Sequence, residues 1–290
     1  RGHFEVRQMA ITNFIGEVWA AQILQSLQKS LVYGQSGVIN RDYEGDIKGK
    51  GDTVRITAHG PITIDNYNKT AGIGDPEELD DASTTLEITQ AKYFNFRIED
   101  IDKAQMNVRL MESATRDAAY QLADVADQYI VAQMVAGAGN AVGADGSDKI
   151  FDGTTDLVTE ELLEVKVKLD EANVPAEGRF VVVPPWVVKW LLQEDAIVNP
   201  TWSGVEGAML NGEIAKLFGF RILQSNNVPN SSGDHFKIVA GVPRATTFAD
   251  SVNETEAYRP DKFFADALRG LHCYGAKVID PSCLCVLTCA

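Results

Sequence analysis

The residues that could carry chemistry are the histidines, the cysteines and the clustered carboxylates, and their spacing builds no recognisable catalytic site. None of the four histidines belongs to H-E-x-x-H or to another paired metal-binding pattern: they are His3, His59, His235 and His272. The chain has no phosphate-binding loop, and Gly34-Gln-Ser-Gly37 is not a nucleophile elbow because position 38 is valine. The sequence therefore predicts no catalytic residue, no cofactor and no metal ion.

Carboxylates do occur in clusters. One acidic run extends from Asp75 to Asp81, and a second group comprises Glu99, Asp100 and Asp102. Acid–base catalysis needs a pocket that shifts pKa values, whereas these groups are predicted in a polar loop and at a helix N-terminus, where carboxylates are solvated or stabilise the helix dipole. A soluble hydrolase that uses Asp100 and Asp102 in a cleft stays open as an enzymatic alternative.

All four cysteines lie in the last eighteen residues: Cys273, Cys283, Cys285 and Cys289. A disulfide scaffold would distribute its cysteines along the chain. The last three share parity, so a single strand would point them to one face, and with His272 nearby a metal site is conceivable. The paired C-x-x-C knuckles of structural zinc sites are missing, and the neighbouring residues are apolar. This pattern favours buried thiols that serve as small hydrophobic side chains.

The composition is that of an ordinary globular protein with a strongly acidic surface. Of the 290 residues 45% are hydrophobic and 23% are charged, and the formal net charge is −15. A protein that neutralises phosphates needs a basic face, so this balance disfavours general nucleic-acid binding. No segment approaches the roughly 18 consecutive apolar residues of a membrane span.

The first half of the chain predicts two amphipathic helices separated by a projecting hairpin. Apolar residues at three- and four-residue spacing predict a helix over 13–33. Alternation predicts strands at Thr53–Thr57 and Thr84–Thr89, on either side of a polar excursion of about thirty residues. So long a polar excursion is typical of an arm that finds its partner on another molecule. After a strand at Ala91–Ile98, one uninterrupted helix is predicted over 101–136.

The second half mixes helices and strands without a regular βαβ alternation, which predicts an α+β fold rather than a doubly wound sheet. A helix is expected over Thr159–Ala172, with Thr159 as its N-cap, and short helices are expected at Trp186–Leu192 and Glu213–Phe218. Strands are predicted at Arg179–Val183, Phe220–Gln224, Phe236–Ala240, Ala245–Phe248, Phe263–Val278 and Leu284–Leu287.

Seven short motifs, taken in their order, resemble the major capsid proteins of tailed bacteriophages. They are Met9-Ala-Ile-Thr-Asn-Phe-Ile-Gly-Glu-Val-Trp19, Leu31-Val-Tyr33, Asn40-Arg-Asp-Tyr43, Gly51-Asp-Thr-Val54, Ala91-Lys-Tyr-Phe94, Ala123-Asp-Val-Ala-Asp127 and Leu271-His-Cys-Tyr-Gly-Ala-Lys-Val278. Each motif is weakly specific, and their order and spacing carry a resemblance that covers nearly the whole chain from Met9. Gly16 departs from the pattern, where Pro is expected, and so does the cysteine-rich end, where relatives more usually have Val or Ala.

The resemblance implies an α+β chain with the Hong Kong 97-type capsid fold. It further implies an N-terminal arm at 1–40, a projecting β-hairpin called the E-loop at 41–95, and a P-domain with a long spine helix at 96–175. An A-domain is expected at 176–255, followed at 256–290 by a return to the P-domain and A-domain strands.

The resemblance also implies a function. The chain would be a major capsid protein, a late viral structural protein that self-assembles as pentamers and hexamers into the icosahedral head. The head would enclose phage double-stranded DNA without sequence-specific binding and without a membrane. Other expected partners are portal and scaffolding proteins, with a decoration protein as a further candidate. The expected location is the virion, after assembly in the host bacterial cytoplasm.

Candidate contacts between subunits come from the arm and the hairpin: Ile15, Val18, Trp19, Arg41, Tyr43, Lys48, Lys50, Arg55, Tyr67, Asp80 and Asp81. A covalent crosslink through Lys48, Lys50 or Lys69 is not expected, because no matching Asn acceptor and catalytic Glu can be identified. Besides the hydrolase, two alternatives stay open. An encapsulin-like nanocompartment shell would share the fold and need enzyme cargo, and an adhesin or tail component built on the long helix would form trimers or fibres.

Overall fold

The computed structural model describes most of the chain. The described residues are 31–43, 51–59, 64, 66–67, 69, 81–99, 110–144, 147–151, 157–193, 216–231, 235–262 and 264–290. Six of the contact candidates lie outside these ranges, namely Ile15, Val18, Trp19, Lys48, Lys50 and Asp80. Asp100 and Asp102 of the enzymatic alternative also lie outside the described residues.

Helices and strands are mixed along the chain, which confirms the predicted α+β class. The helices are α1 (Leu110–Gly137), α2 (Val158–Glu171) and α3 (Pro185–Leu191). The strands are β1 (Thr53–His59), β2 (Asp81–Glu87), β3 (Gln90–Glu99), β4 (Asn140–Val142), β5 (Phe180–Val183), β6 (Lys216–Leu217), β7 (Phe220–Gln224), β8 (Asn230–Ser231), β9 (His235–Gly241), β10 (Thr246–Tyr258), β11 (Ala265–Val278) and β12 (Leu284–Cys289).

The strands form three sheets. The first is the antiparallel hairpin β1–β2, and the second is an antiparallel sheet of three strands in the order β10–β11–β3. The third has seven strands in the order β4–β12–β9–β5–β7–β6, with β8 paired to β9. The last strand of the chain thus lies inside the largest sheet, where β12 pairs in parallel with β4 and antiparallel with β9.

The main core lies where α1 and α2 pack against the seven-stranded sheet. On α1, Ala126, Ile130 and Met134 are buried at four-residue spacing, and on α2 the buried residues include Leu162 and Val165. Every residue of β5 and of β12 is buried. Strands that read as continuous apolar runs are covered on both faces, which explains why these two strands occupy the middle of the sheet.

The predicted long helix and the predicted second helix are confirmed within the described residues. The helix expected over 101–136 is present from Leu110 to Gly137, a span of about 42 Å at about 1.5 Å per residue. The helix expected over Thr159–Ala172 is present one residue earlier, at Val158–Glu171. Its predicted N-cap is wrong, because Leu157 occupies the N-cap position and Thr159 is buried within the first turn.

The predicted end of the first helix is wrong. Residues 31–33 are not helical, and 13–30 lie outside the described residues. The backbone N–H groups of Val32 and Gly34 donate to the side chain of Asp127 on α1 rather than to carbonyl groups one helical turn earlier. The Asp127 carboxylate, distant in the sequence, accepts these N–H groups in place of nearby backbone carbonyls. The apolar spacing of the segment therefore does not decide its conformation.

The short helix predicted at Glu213–Phe218 is also wrong where the structure describes it. Lys216 and Leu217 form β6, which turns back on β7 through Phe218 and Gly219. Both turn residues have a left-handed backbone, with φ of 51° and 90°. Two successive residues of this kind are typical of the tight turns that join antiparallel strands.

The strand predicted at Ala245–Phe248 is much longer than expected. It begins at Thr246 and continues to Tyr258, paired with β11 along its whole length apart from a bulge between Val252 and Glu254. The cysteine prediction is confirmed, because all four thiols are free and buried. Cys283, however, lies in a 3₁₀ turn ahead of β12 rather than in the strand itself.

Candidate assembly surfaces

The base of the β1–β2 hairpin is fixed to the three-stranded sheet. Ile56, Leu86 and Ile88 form a small buried cluster with Ala249 of β10 and Cys273 of β11, which we call the hairpin anchor. Pairing continues past the strand ends, since the N–H of Gly51 donates to the carbonyl of Ile88 at 3.0 Å and the N–H of Ile88 donates to that of Asp52 at 3.0 Å. The anchor therefore sets the direction in which the hairpin leaves the body.

A glycine in the sheet makes this close approach possible. Gly275 of β11 lies under the end of β2, and a Cβ atom there would be closer than 3.0 Å to the carbonyl oxygen of Glu87. Only glycine lets the two backbones come so near. The sequence shows a glycine within the strand motif Leu271–Val278, which indicates a close approach of another backbone. The sequence does not show that this backbone is the end of β2.

The described part of the hairpin and its loop exposes the side chains expected of a contact surface. Arg55 is exposed on β1, and Tyr67 in the loop is 71% exposed. Ile64, which the sequence reasoning missed, is 93% exposed. Asp81 begins β2 opposite His59. Tyr43, in contrast, packs against the hairpin anchor within its own chain.

A second exposed surface lies on the three-stranded sheet and was not predicted. Tyr93 projects from β3 beside a cleft of about 290 Å³, and Phe264, in the turn before β11, is 87% exposed. The cleft is lined by Tyr93, Phe94, Asn95, Glu256, Arg269, Gly270 and Leu271. Arg269 pairs with Glu256 and also lies over the ring of Tyr258 at 5.0 Å, so a charged pair forms one wall of an otherwise largely apolar cleft. An exposed aromatic next to a cleft is a common feature of protein interfaces.

The outer face of α2 is a third candidate surface. Leu163 and Val167 are exposed one helical turn apart, beside Glu160, Glu164 and Lys168. On the opposite face Leu162 and Val165 are buried, so the apolar residues of this helix exceed those needed for its own core. The sequence predicted that Leu163 and Val167 lie inside with Leu162, Val165 and Leu169, and this prediction is wrong for the first two.

The segment 31–43 is held by a buried charged network that no motif had indicated. Arg41 pairs with Asp250 of β10 at 2.7 Å, with only 15% and 3% of the two side chains exposed. The other carboxylate oxygen of Asp250 lies 3.2 Å from Nε2 of His272, which is fully buried on β11. Arg41 also lies over the ring of Phe248 at 5.4 Å. The predicted contact residue Arg41 is therefore engaged within its own chain.

The same segment meets a buried carboxylate on α1. The side chain of Asp127 accepts the N–H of Val32 at 2.8 Å and that of Gly34 at 3.2 Å. Burial raises the pKa of Asp127 to about 6, and the backbone N–H groups that it accepts act in the opposite direction. The adjacent Tyr33 hydroxyl is buried as well, and its burial together with the Asp127 charge raises the pKa of Tyr33.

The thiols have the properties of core side chains rather than of ligands or nucleophiles. Burial raises the pKa of Cys285 to about 12 and that of Cys289 to about 12. Burial and a hydrogen bond to Asp280 also raise the pKa of Cys283, although Arg244 donates to its sulfur. Within the described ranges, no three His, Cys, Asp or Glu side chains are arranged to hold a metal ion. Nor is any helix in this part of the chain long and apolar enough to cross a membrane.

Comparison with protein families gives a match over most of the chain. The family is described as phage capsid protein, and its model matches residues 81–287. A comparison with curated protein sequences gave no match.

Comparison with solved structures gives three informative similarities. A structure from Mycobacterium phage Che8 is 28% identical, with a TM-score of 0.72, over 89% of this chain and 90% of the other. The capsid structure of cyanophage P-SCSP1u is 18% identical, with a TM-score of 0.70, over 84% and 85% of the two chains. A virus-like particle from Pyrococcus furiosus is 13% identical, with a TM-score of 0.58, over 94% and 99%.

Proposed function

The chain belongs to the phage capsid protein family and is a major capsid subunit with the Hong Kong 97-type capsid fold, and we propose that it assembles as pentamers and hexamers into an icosahedral head. The observation that carries this proposal is a fold shared along nearly the full length of both chains with the Che8 structure, at 28% identity. In the proposed assembly the head encloses double-stranded DNA. The net charge of −15 supports a shell that encloses DNA without binding its phosphates tightly.

The architecture supports an assignment of the family's domains. We assign β1–β2 and the loop between them to the E-loop, and α1 with the three-stranded sheet to the P-domain. The seven-stranded sheet, with α2 and α3, is assigned to the A-domain. This assignment departs from the expected boundaries, because α2 and β4 lie within 96–175 and residues 246–255 pair with β11. The position of β12 agrees with the expected return of 256–290 to A-domain strands.

We propose that the hairpin loop forms a contact between subunits through Arg55, Ile64 and Tyr67. Their exposure in the single chain supports this, since aromatic and apolar side chains that project from an anchored hairpin lack burial within their own chain. Asp81 at the start of β2 belongs to the same proposal. Six further residues stay predicted contacts between subunits, from the sequence alone: Ile15, Val18 and Trp19 in the arm, and Lys48, Lys50 and Asp80 in the hairpin.

The remaining features of the proposal follow from the family. Its members are structural proteins of the virion, and for this chain we propose a purely structural role without catalysis. Portal and scaffolding proteins, and a decoration protein, are proposed partners. Assembly is proposed to take place in the cytoplasm of the bacterial host before the head matures.

A cellular compartment shell is a weaker alternative. The Pyrococcus furiosus particle covers more of this chain than the Che8 structure does, but its identity and TM-score are lower. The family model that matches the sequence is also a phage capsid model. Packaged nucleic acid in purified particles would favour a phage head, whereas packaged enzyme would favour a compartment.

Sedimentation of the purified protein over a range of salt concentrations, with negative-stain electron microscopy of the fast fractions, tests the function. We expect closed shells or rings of five and six subunits, and we expect salt to promote them because it screens the repulsion between subunits of charge −15. A stable monomer or small dimer at every salt concentration would contradict the proposal.

The Tyr67→Ala variant tests the proposed contact. We expect the variant to keep the wild-type thermal stability, because the side chain is exposed, and to lose most of the fast-sedimenting fraction. Tyr120→Ala is the matched control, since Tyr120 is also exposed but lies on α1. Wild-type assembly by Tyr67→Ala would refute a role for this loop.

A further inference from the structure

The segment 31–43 is connected to the body by one continuous path of hydrogen bonds. The N–H of Gly34 donates to Asp127 of α1, and the carbonyl of Gly34 accepts from Nη1 of Arg41 at 3.0 Å. Arg41 in turn binds Asp250, which lies against His272. We call these four side chains, Asp127, Arg41, Asp250 and His272, the buried clasp. It joins α1 to β10 and β11 through the segment that leads to the N-terminus.

The backbone of the segment adds to this attachment. Asn40 forms a parallel bridge with Thr247 at the edge of the three-stranded sheet. Its N–H donates to the carbonyl of Thr246 at 2.9 Å, and its carbonyl accepts from the N–H of Phe248 at 3.0 Å. The backbone of the segment is therefore hydrogen-bonded to the body at two places, the sheet edge near Asn40 and the carboxylate of α1 near Val32 and Gly34. Between them Tyr33, Val38 and Ile39 are buried in the main core.

The two carboxylates of the clasp differ in what neutralises them. Asp250 has the guanidinium of Arg41 at 2.7 Å. Asp127 is only 2% exposed, and among the described residues no lysine or arginine forms an ion pair with it. A buried carboxylate with hydrogen bonds but without a cation is costly to keep ionised.

The other ionisable groups near Asp127 do not offset its charge. On its own helix, the Asp124 carboxylate opposes ionisation. From the segment, the buried hydroxyl of Tyr33 faces it, and Arg41 is bound to Asp250 instead. The groups that favour the ionised form are the backbone N–H groups of residues 32–34, which carry partial charges only.

We propose that docking of the segment 31–43 onto α1 takes up a proton at Asp127, so that the attachment of the N-terminal segment to the body is controlled by pH. When the segment is docked, the carboxyl group is buried beneath it. When the segment leaves, water reaches the carboxylate and the proton is released. The proposal concerns the single chain and does not depend on the proposed assembly.

The direction of the effect follows from the pKa. Burial raises the pKa of Asp127 to about 6 in the docked state, above the ordinary aspartate value of about 3.9. The protonated form therefore favours docking, and this contribution is complete below the ordinary pKa and is lost as the pH rises through about 6. Between pH 5 and pH 7.5 the equilibrium for opening should increase about tenfold.

Hydrogen exchange followed by mass spectrometry on the full chain measures this equilibrium. Exchange of the peptide covering 31–43 is compared at pH 5 and pH 7.5 after correction for the pH dependence of intrinsic exchange, with the fully buried strand β5 as internal reference. We expect protection of 31–43 to fall about tenfold at the higher pH while that of β5 is constant. Equal protection at both pH values, or greater protection at pH 7.5, would overturn the proposal.

Two variants assign the effect to one carboxyl group. Asp127→Asn cannot titrate and should remove the pH dependence. Asp124→Asn is the matched control on the same helix and should keep most of it, because burial raises the pKa of Asp127 more than the Asp124 charge does. The Asp124 carboxylate accepts hydrogen bonds from the side chains of Gln128 and Asn227, whereas the backbone of the segment donates to Asp127. If Asp127→Asn retained half or more of the wild-type change, another group would be responsible and the proposal would be wrong.

The change in protection of 31–43 between pH 5 and pH 7.5 in the wild-type protein alone shows whether a higher pH favours opening. The proposal can therefore be refuted even if the Asp127→Asn variant does not dock its segment normally. The result is also separable from the proposed function. Loss of pH dependence with normal shells would remove only the clasp proposal, whereas failure to form shells with a normal pH dependence would remove only the capsid proposal.

Discussion

Substitution of Gly275 by alanine should loosen the base of the hairpin without unfolding the protein. Gly275 lies opposite Ala249 within β11, the central strand of the three-stranded sheet. The added Cβ would lie closer than 3.0 Å to the carbonyl oxygen of Glu87 and 3.1 Å from Cδ1 of Ile88. At Gly275 the strand β11 pairs with β10, and it pairs with β3 as far as the adjacent Tyr274. We therefore expect β11 to stay in place and the end of β2 to move.

The magnitude can be estimated from the contacts of the hairpin anchor. Forcing one extra methyl group into a packed position typically costs about 1–3 kcal/mol. The strain can be relieved if the end of β2 lifts, but this would expose Ile88, which is 1% exposed, at a cost of about 1.5–3 kcal/mol. Both routes give a destabilisation of about 1–3 kcal/mol, which is too small to unfold a typical domain but large enough to loosen the end of β2 around Ile88.

The assay combines urea unfolding, hydrogen exchange over residues 81–89 and sedimentation. The matched control is Gly270→Ala on the same strand, where the new Cβ would meet the ring of Phe94, a partly exposed side chain that can rotate away. We expect Gly275→Ala to lose protection at 81–89 and to assemble poorly, and we expect Gly270→Ala to keep the wild-type protection at 81–89. Wild-type protection at 81–89 in Gly275→Ala would refute the reasoning, and so would an equal loss in the control.

Two further predictions concern the interior. Arg41→Ala should lower the free energy of unfolding by about 3–5 kcal/mol, because it leaves the Asp250 carboxylate buried without its cation. The control Arg97→Ala should cost at most about 1 kcal/mol, since the ion pair of Arg97 with Glu99 is largely exposed. Equal costs of the two substitutions in urea unfolding would contradict this prediction. Ellman's reagent at pH 8 should not react with the native protein, because all four thiols are buried and burial also raises the pKa of Cys285 and of Cys289 to about 12. After unfolding in guanidinium chloride the reagent should detect all four thiols. Rapid reaction of the native protein would show that the thiols are accessible.

Local periodicity predicted the long helices and the buried strands well. The apolar spacing of α1 and α2 predicted both helices, although on α2 it did not separate the buried Leu162 and Val165 from the exposed Leu163 and Val167. The unbroken apolar residues of β5 similarly indicate a strand covered on both faces. The order of the family motifs also indicated a capsid protein before any contact was known.

Elements whose conformation depends on distant partners were predicted poorly. Residues 31–33 have helical spacing but end in a turn, because Asp127 accepts their N–H groups from more than ninety positions away. The pair Lys216–Leu217 is a strand because β7 lies beside it, and the polar second half of β10 is a strand because β11 pairs with it. Neither segment has the apolar alternation from which a strand is recognised.

The sequence by itself determined the α+β class, the helical spine, the projecting hairpin, the buried thiols and the family. Only the tertiary structure decided that Arg41 is engaged within its own chain, that Asp127 is buried with no lysine or arginine paired to it among the described residues, and that Gly275 lies beneath the hairpin. The physical reason is that periodicity records which side of a residue faces the core, whereas a hydrogen bond or a close backbone approach also requires a partner. For Arg41 that partner, Asp250, is 209 positions away in the sequence, and only the packing of β10 against the segment 31–43 brings the two together.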